Sequence, residues 1–204
     1  MKIGILGAGN IGGTIGKQWA KAGHDIMFGV RTPESDAVKT LLNSIDGTAS
    51  ADTLSNAIAF GEAILIAIPG KTVEQVIIDN ANAFAGKIII DAANNMRQPV
   101  MNNLSVIQEH VPDAKIYRAF NSLGWENFAQ PEINGEVIDL FYCGTEGDTK
   151  AIMESLIQDV GLRPIYIGNL DTALLIDMLT SLWGSLAYGQ GKGRRLGFKL
   201  ITPE

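Results

Sequence analysis

Short apolar runs alternate with amphipathic stretches along the chain. Lys2–Leu6, Asp25–Val30, Glu62–Ile68 and Lys87–Asp91 are rich in Ile, Leu and Val. They are nearly unbroken rather than alternating, as expected of strands covered on both faces. Between them Ile11–Ala22, Glu34–Asn43, Thr53–Phe60 and Thr72–Phe84 read as helices. This order predicts an α/β fold of Rossmann type, a doubly wound and mostly parallel sheet. In the first helix Ile11, Ile15 and Trp19 form one row, and Gly12, Gly16 and Ala20 the adjacent row of small residues. The small row lets the helix approach the sheet, and Gly23 is placed to end it.

The second half repeats the pattern less cleanly. Leu104–His110 reads as a helix, Lys115–Ala119 and Val137–Cys143 as strands, Thr149–Val160 as a helix and Pro164–Ile167 as a last strand. Ala173–Gln190 reads as one long apolar helix, followed by a glycine-rich tail. No repeat or linker interrupts this order. We expect a Rossmann domain over residues 1–168 and a C-terminal helix and tail over 169–204, an extension rather than an independent domain.

Composition narrows the function classes. The chain has 204 residues, enough for one domain and a small appendage, and 46% of them are apolar. A formal net charge of -6 argues against a nucleic-acid partner, which needs a basic surface. Cys143 is the only cysteine, and His24 and His110 are the only histidines, so no disulfide within the chain and no metal site are expected. The N-terminal apolar run is broken by Gly4 and Gly7 and is too short for a signal peptide core. Ala173–Tyr188 contains Asp177 and falls short of a membrane span. These readings predict a cytoplasmic protein with no membrane partner.

The chemistry begins directly after the first strand. Gly7-Ala8-Gly9-Asn10-Ile11-Gly12 matches GxGxxG between a strand and a helix, the context in which that pattern binds a dinucleotide. Gly7 permits the tight turn, Gly9 the approach of the pyrophosphate, and Gly12 close packing of helix on strand. At the end of the second strand an NAD enzyme places Asp or Glu for the ribose 2′-hydroxyl. Here Phe28-Gly29-Val30-Arg31-Thr32-Pro33 carries no acid. Arg31 can bond a 2′-phosphate and stack on adenine, and Thr32 can add a hydroxyl, which predicts NADP(H). The alternative is that Arg31 is a solvated loop cation.

Other candidates are less decided. Asn121 lies just past a predicted strand, where open α/β sheets place ligands; equally, it can be a turn residue bonding its own backbone. Asn94 and Asn95 carry the same two readings. Pro69 can border a ligand or simply end its strand. Trp125 and Trp183 suit an aromatic pocket, a core or an interface. A carbonyl or imine reductase needs a general acid beside its substrate. The candidates are Lys71, Tyr142 and Tyr188, none with a recognisable partner, and no lysine lies between Lys150 and Lys192. That shortage favours a ring acceptor, for which positioning suffices.

Three further segments carry a resemblance: Ala67-Ile68-Pro69, Ala119-Phe120-Asn121-Ser122-Leu123-Gly124, and the closing stretch from Gly161-Leu162-Arg163-Pro164 to Gly197-Phe198-Lys199. With the glycine loop they resemble the deazaflavin-dependent NADP reductases, which pass hydride between NADP(H) and coenzyme F-420. The resemblance spans nearly the whole chain. It implies an oxidoreductase with Gly9, Asn10 and Ile11 along the pyrophosphate and Arg31 and Thr32 on the 2′-phosphate. It further implies Pro69 at the nicotinamide and Asn121 in the pocket of a small-molecule hydride acceptor, coenzyme F-420 or a flavin. The alternatives are reduction of another acceptor (a quinone, a ferric chelate or an imine) or non-catalytic NADP(H) sensing. A helix apolar nearly all round needs more cover than one sheet face supplies, so Ala173–Tyr188 also predicts a homodimer with the tail reaching toward the partner.

Overall fold

The computed structural model describes residues 1–96 and 98–203. Its main sheet has eight strands in the order β10-β9-β6-β5-β4-β1-β2-β3. The six strands of the nucleotide-binding half are β1 (Lys2–Leu6), β2 (Asp25–Gly29), β3 (Ala49–Asp52), β4 (Ala63–Ile66), β5 (Ile88–Asp91) and β6 (Lys115–Arg118). All five of their pairings are parallel. β9 (Asp139–Gly144) runs antiparallel to β6, and β10 (Arg163–Tyr166) runs parallel to β9. The doubly wound, mostly parallel architecture expected from the sequence is present.

Burial on both faces explains the unbroken apolar runs. Ile3 and Ile5 join one core with Ile15, Trp19 and Phe28. Leu6 joins the other with Ile58, Ile64, Ile66 and Ile77. The helices divide accordingly. α1 (Asn10–Lys21), α6 (Trp125–Ala129) and α7 (Asp148–Asp159) pack on the first face; α3 (Leu54–Phe60), α4 (Val73–Phe84) and α5 (Leu104–His110) pack on the second. α2 (Asp36–Asn43) packs on the first face through the half-buried Leu41 and Leu42.

The small row of α1 acts as its spacing requires. A Cβ on Gly12 would stand 2.2 Å from the Gly7 carbonyl oxygen, and one on Gly16 2.5 Å from the Phe28 ring. Neither position has room for a side chain, so the helix lies hard against β1 and β2.

Three elements depart from the sequence expectations. β3 pairs with β2 along Ala49–Asp52, a stretch with no large apolar residue. A short hairpin, β7 (Glu132–Ile133) and β8 (Glu136–Val137), turns at Asn134 and Gly135, both with positive φ. The predicted helix Ala173–Gln190 is two pieces: α8 (Ala173–Gly184) and a π-helical turn, Ser185–Gly189. α8 begins in one core through Ala173 and Ile176, and its end, Trp183 with Ala187 just beyond, lies in the other. The helix therefore passes from one face of the sheet to the other.

Candidate functional site

The parallel register brings the strand ends into line. Leu6 pairs with Gly29 and with Ile66, Gly29 with Asp52, Ile66 with Asp91, and Asp91 with Arg118. Each strand then leaves this row at the same level into a loop that carries candidate residues. The chain order reverses between β1 and β4, the switch point at which open α/β sheets bind ligands.

Gly7 holds φ +104°, and a Cβ there would stand 2.6 Å from the Ala67 carbonyl oxygen. Its N–H donates to the Gly29 carbonyl at 2.9 Å, which ties the loop to β2. Gly9 caps α1 without a side-chain bond, and the first turn carries no acid. Nothing lies within 4 Å of where a Gly9 side chain would begin. The helix thus presents free N–H groups, its positive dipole end and an open approach, which fit a pyrophosphate. Asn10 and Ile11 form the first turn beside it.

Arg31 and Thr32 are exposed just beyond β2, and among the described residues Arg31 makes no ion pair. Asp52 is the nearest strand-end acid, in register with Gly29. Its carboxylate accepts from the Thr53 N–H at 2.7 Å and Asn56 Nδ2 at 2.9 Å. The first of these bonds, then the second, holds its pKa below the usual carboxylate value. Asp52 is therefore committed to starting α3.

Pro69 is exposed at the start of a 3-10 turn, where its carbonyl accepts from the Thr72 N–H and hydroxyl. Gly70 behind it leaves no room for a side chain: a Cβ would stand 2.5 Å from Asn95 Oδ1.

Ala119–Gly124 is buried throughout. Phe120 holds φ 61°, a conformation that costs a non-glycine residue of this size of order 1–3 kcal/mol. Asn121 follows it, 5% exposed. Its Nδ2 donates to Thr180 Oγ1 of α8 at 2.9 Å, and its Oδ1 has no hydrogen-bond partner. The local turn reading does not hold for Asn121, because the side chain reaches across to α8 instead of bonding its own backbone. Asn94 reaches Asn121 as well: its Nδ2 donates to the Asn121 carbonyl at 2.9 Å.

Beneath these asparagines lies a buried ion network. Arg118 is fully buried, and its Nη2 donates to Asp177 Oδ1 of α8 at 2.7 Å and to Asn94 Oδ1 at 2.6 Å. Its Nη1 donates to the Ala93 carbonyl and stands 3.2 Å from Asp91 Oδ2. The Asp91 carboxylate also accepts from the Asn103 and Ala93 N–H groups. Burial raises its pKa; Arg118 and these hydrogen bonds oppose the rise. Asn102 closes the network on Asp177 at 2.7 Å. Asp177 is the one charged residue between Ala173 and Gln190. Nothing local marked Arg118 as buried.

Two of the three candidate acids are engaged elsewhere. Tyr142 is buried and donates to Glu154; Tyr188 bonds Arg194. Lys71 is exposed. His24 sits before β2, bonded to Asp159. Trp183 is a core residue whose Nε1 donates to the Leu196 carbonyl. The basic tail folds back on its own chain: Arg194 pairs with Glu126, Arg195 donates to the Gln130 and Glu132 carbonyls, and Lys199 pairs with Glu136. Among the described residues no group of His, Cys, Asp and Glu is arranged to hold a metal, and no helix is long and apolar enough to cross a membrane.

A glycine loop on an uncapped helix, at the switch point of such a sheet and without a ribose acid, is an arrangement with which a Rossmann-type fold can bind NADP. Residues 2–95 match the model of the family described as NADP oxidoreductase, coenzyme F420-dependent. Over those residues, just under half of the chain, the sequence is similar to that family, in line with the resemblance drawn from its residues. The crystal structure of a candidate F420-dependent NADP reductase from Arthrobacter sp. FB24 is similar throughout, with TM-score 0.84 and 25% identity over 99% of this chain and 100% of that one. Metalloreductase STEAP3 of Rattus norvegicus is 22% identical over 183 residues, 87% of this chain and 36% of the relative. The chain therefore spans just over a third of the length of that curated relative. A reductive aminase from Aspergillus terreus shares the fold, with TM-score 0.67 and 20% identity over 91% of this chain and 62% of that one.

Proposed function

We propose that this protein transfers hydride from NADPH to a planar ring acceptor, a deazaflavin (coenzyme F-420) or a flavin. The observation that carries the reading is Asn121: buried at the end of β6, held to α8, and with a side-chain oxygen that no protein group satisfies. NADPH, when bound, would supply the hydride to position 5 of the acceptor ring, a carbon in a deazaflavin and a nitrogen in a flavin, with a solvent proton going to N1, which leaves NADP⁺ and the reduced ring. The chain's own part is positioning. Gly7, Gly9, Asn10, Ile11 and Gly12 hold the pyrophosphate, and Arg31 and Thr32 hold the 2′-phosphate. Pro69 borders the nicotinamide, and Asn121 orients the acceptor so that the donor carbon and the accepting ring atom stand about 3–3.5 Å apart. No acid is needed from the wall, which agrees with the commitment of Tyr142, Tyr188, Asp91 and Asp177 to other partners. The small-molecule acceptor is the partner this reading requires. A second copy of the chain, docked on the exposed side of α8, completes the assembly, and the cytoplasm is the compartment in which NADPH meets it.

The metalloreductase relative favours a second reading, in which the electrons end on a ferric chelate. A hydride carries two electrons and a ferric ion accepts one, so this route also passes through a ring that can divide the pair.

The test is NADPH oxidation by the full chain with coenzyme F-420, FMN, FAD, a ferric chelate and a cyclic imine. Ring acceptors are expected to turn over. Asn121→Ala should lower kcat at least tenfold and leave the NADPH dissociation constant within twofold. Efficient imine reduction abolished by Lys71→Ala, with no ring acceptor used, would overturn the reading, and no oxidation with any acceptor would leave only sensing.

A further inference from the structure

Three ionisable side chains lie deep in this protein and take no part in the hydride transfer derived above. Asp91 and Arg118 are fully buried, and Asp177 is 3% exposed. Charges taken out of water are costly and are usually paired one to one. Here two carboxylates share a single guanidinium.

The hydrogen bonds keep both carboxylates ionised. Among the described residues the Asp91 oxygens meet the Ala93 and Asn103 N–H groups, the Asn103 amide and Arg118, all of them donors. The Asp177 oxygens meet Arg118 and the Asn102 amide, also donors. A protonated carboxyl would find no acceptor in either place. Cys143, which pairs with Arg118 across β6 and β9, adds no charge, since burial pushes its thiol up to about 11. The network of the described residues therefore carries an excess negative charge.

Its position gives that charge a use. Asp91 ends β5 in register with Ile66 of β4, and Arg118 ends β6 in register with Asp91. Pro69 follows Ile66 closely, and the turn it opens packs on the asparagines above the network. A Cβ on Gly70 would stand 2.5 Å from Asn95 Oδ1 and 2.7 Å from the Asn94 carbonyl oxygen. Asn94 Oδ1 accepts from Arg118 Nη2 at 2.6 Å. Asn94 thus touches the Pro69–Gly70 turn on one side and the guanidinium on the other. A charge buried at this depth is poorly screened by solvent.

We propose, on the reading that places the nicotinamide at Pro69, that the excess charge of Asp91, Arg118 and Asp177 biases the oxidation state of the bound nucleotide. Loss of hydride to the acceptor, one hydrogen nucleus with two electrons, turns a neutral dihydronicotinamide ring into a cation. A fixed negative charge behind Asn94 favours that cation. It tightens NADP⁺ relative to NADPH and lowers the potential of the bound couple, which makes the nucleotide a stronger hydride donor than it is in water. Asp91 and Asp177 act through their field and are not catalytic residues.

Dissociation constants for NADP⁺ and NADPH, measured by calorimetry on the full chain with no acceptor present, test this. The native chain should bind NADP⁺ at least as tightly as NADPH. Asp177→Asn removes the excess charge and keeps the side-chain shape; it should shift the ratio of the two constants toward NADPH by about threefold or more. Arg118→Lys keeps the charge and loses the planar fork, so the ratio should stay within about twofold of the native one. The melting temperature should fall in both variants. A role confined to seating α8 would lower stability in both and move the ratio in neither, and that result would overturn the inference. So would a native chain that binds NADPH more tightly than NADP⁺, a result that needs no variant to fold. Either outcome leaves the ring-acceptor reading to its own acceptor panel; a native chain that binds neither nucleotide would overturn both.

Discussion

At the scale of single residues, the chain separates exposed, unpaired groups from buried groups that hold the frame. Arg31 is exposed and without an ion pair among the described residues, so its charge is available to a ligand. A charge-assisted hydrogen bond contributes about 1.5–3 kcal/mol, and Arg31→Ala should therefore weaken NADPH roughly ten- to hundredfold and NADH little. Fluorescence titration with both nucleotides measures this; equal losses would show that Arg31 does not read the phosphate. Arg118 has the same side chain and the opposite use, fully buried and bonded on four sides. The phosphate loop was legible because its glycines are required by backbone geometry within a few residues of one another. Arg118 was not, because its partners lie on β5, the following loop and α8, and only the register brings them together.

At the scale of elements, legibility followed side-chain volume. The strands Lys2–Leu6 and Ile88–Asp91 announce themselves by runs of large aliphatics. β3 has only Ala49, Ser50, Ala51 and Asp52, and exists because β2 offers it an edge. The hairpin β7–β8 carries an Asn134-Gly135 turn signal, but two-residue strands are too short to show alternation. α8 looked uniformly apolar, and the structure shows why: its two ends are buried in different cores. Its lateral position depends on the Asp177–Arg118 pair. Asp177→Ala leaves a buried guanidinium short of one counter-ion and should cost about 3–5 kcal/mol, with Asp177→Asn costing less. Urea denaturation gives the difference directly. A loss below about 1 kcal/mol would mean that packing alone seats the helix.

At the scale of the whole molecule, one apolar surface stays uncovered by the chain itself. Leu174, Leu175, Met178 and Leu182 are 59%, 58%, 60% and 48% exposed along a single face of α8. An exposed row of large aliphatics on one helix suits a symmetric contact with a second copy. Light scattering at micromolar concentration should return a dimer, and Met178→Glu should return a monomer that still binds NADPH. A monomeric native chain would refute the assembly. The tail, expected to reach toward a partner, is instead fastened to its own body through Arg194, Arg195 and Lys199, so the contact would rest on the helix.

The straddling helix also orders events in time. Asp177 follows Arg118 by 59 residues along the chain. At about 5–20 residues per second, a ribosome adds that stretch in roughly 3–12 s. Throughout this interval the Arg118 guanidinium has Asp91 as its only carboxylate. The segment that ends at Asn121 then lacks Thr180, its partner on α8. The phosphate loop and its sheet are already made. On the ring-acceptor reading, the glycine loop is therefore made seconds before the helix against which Asn121 is held.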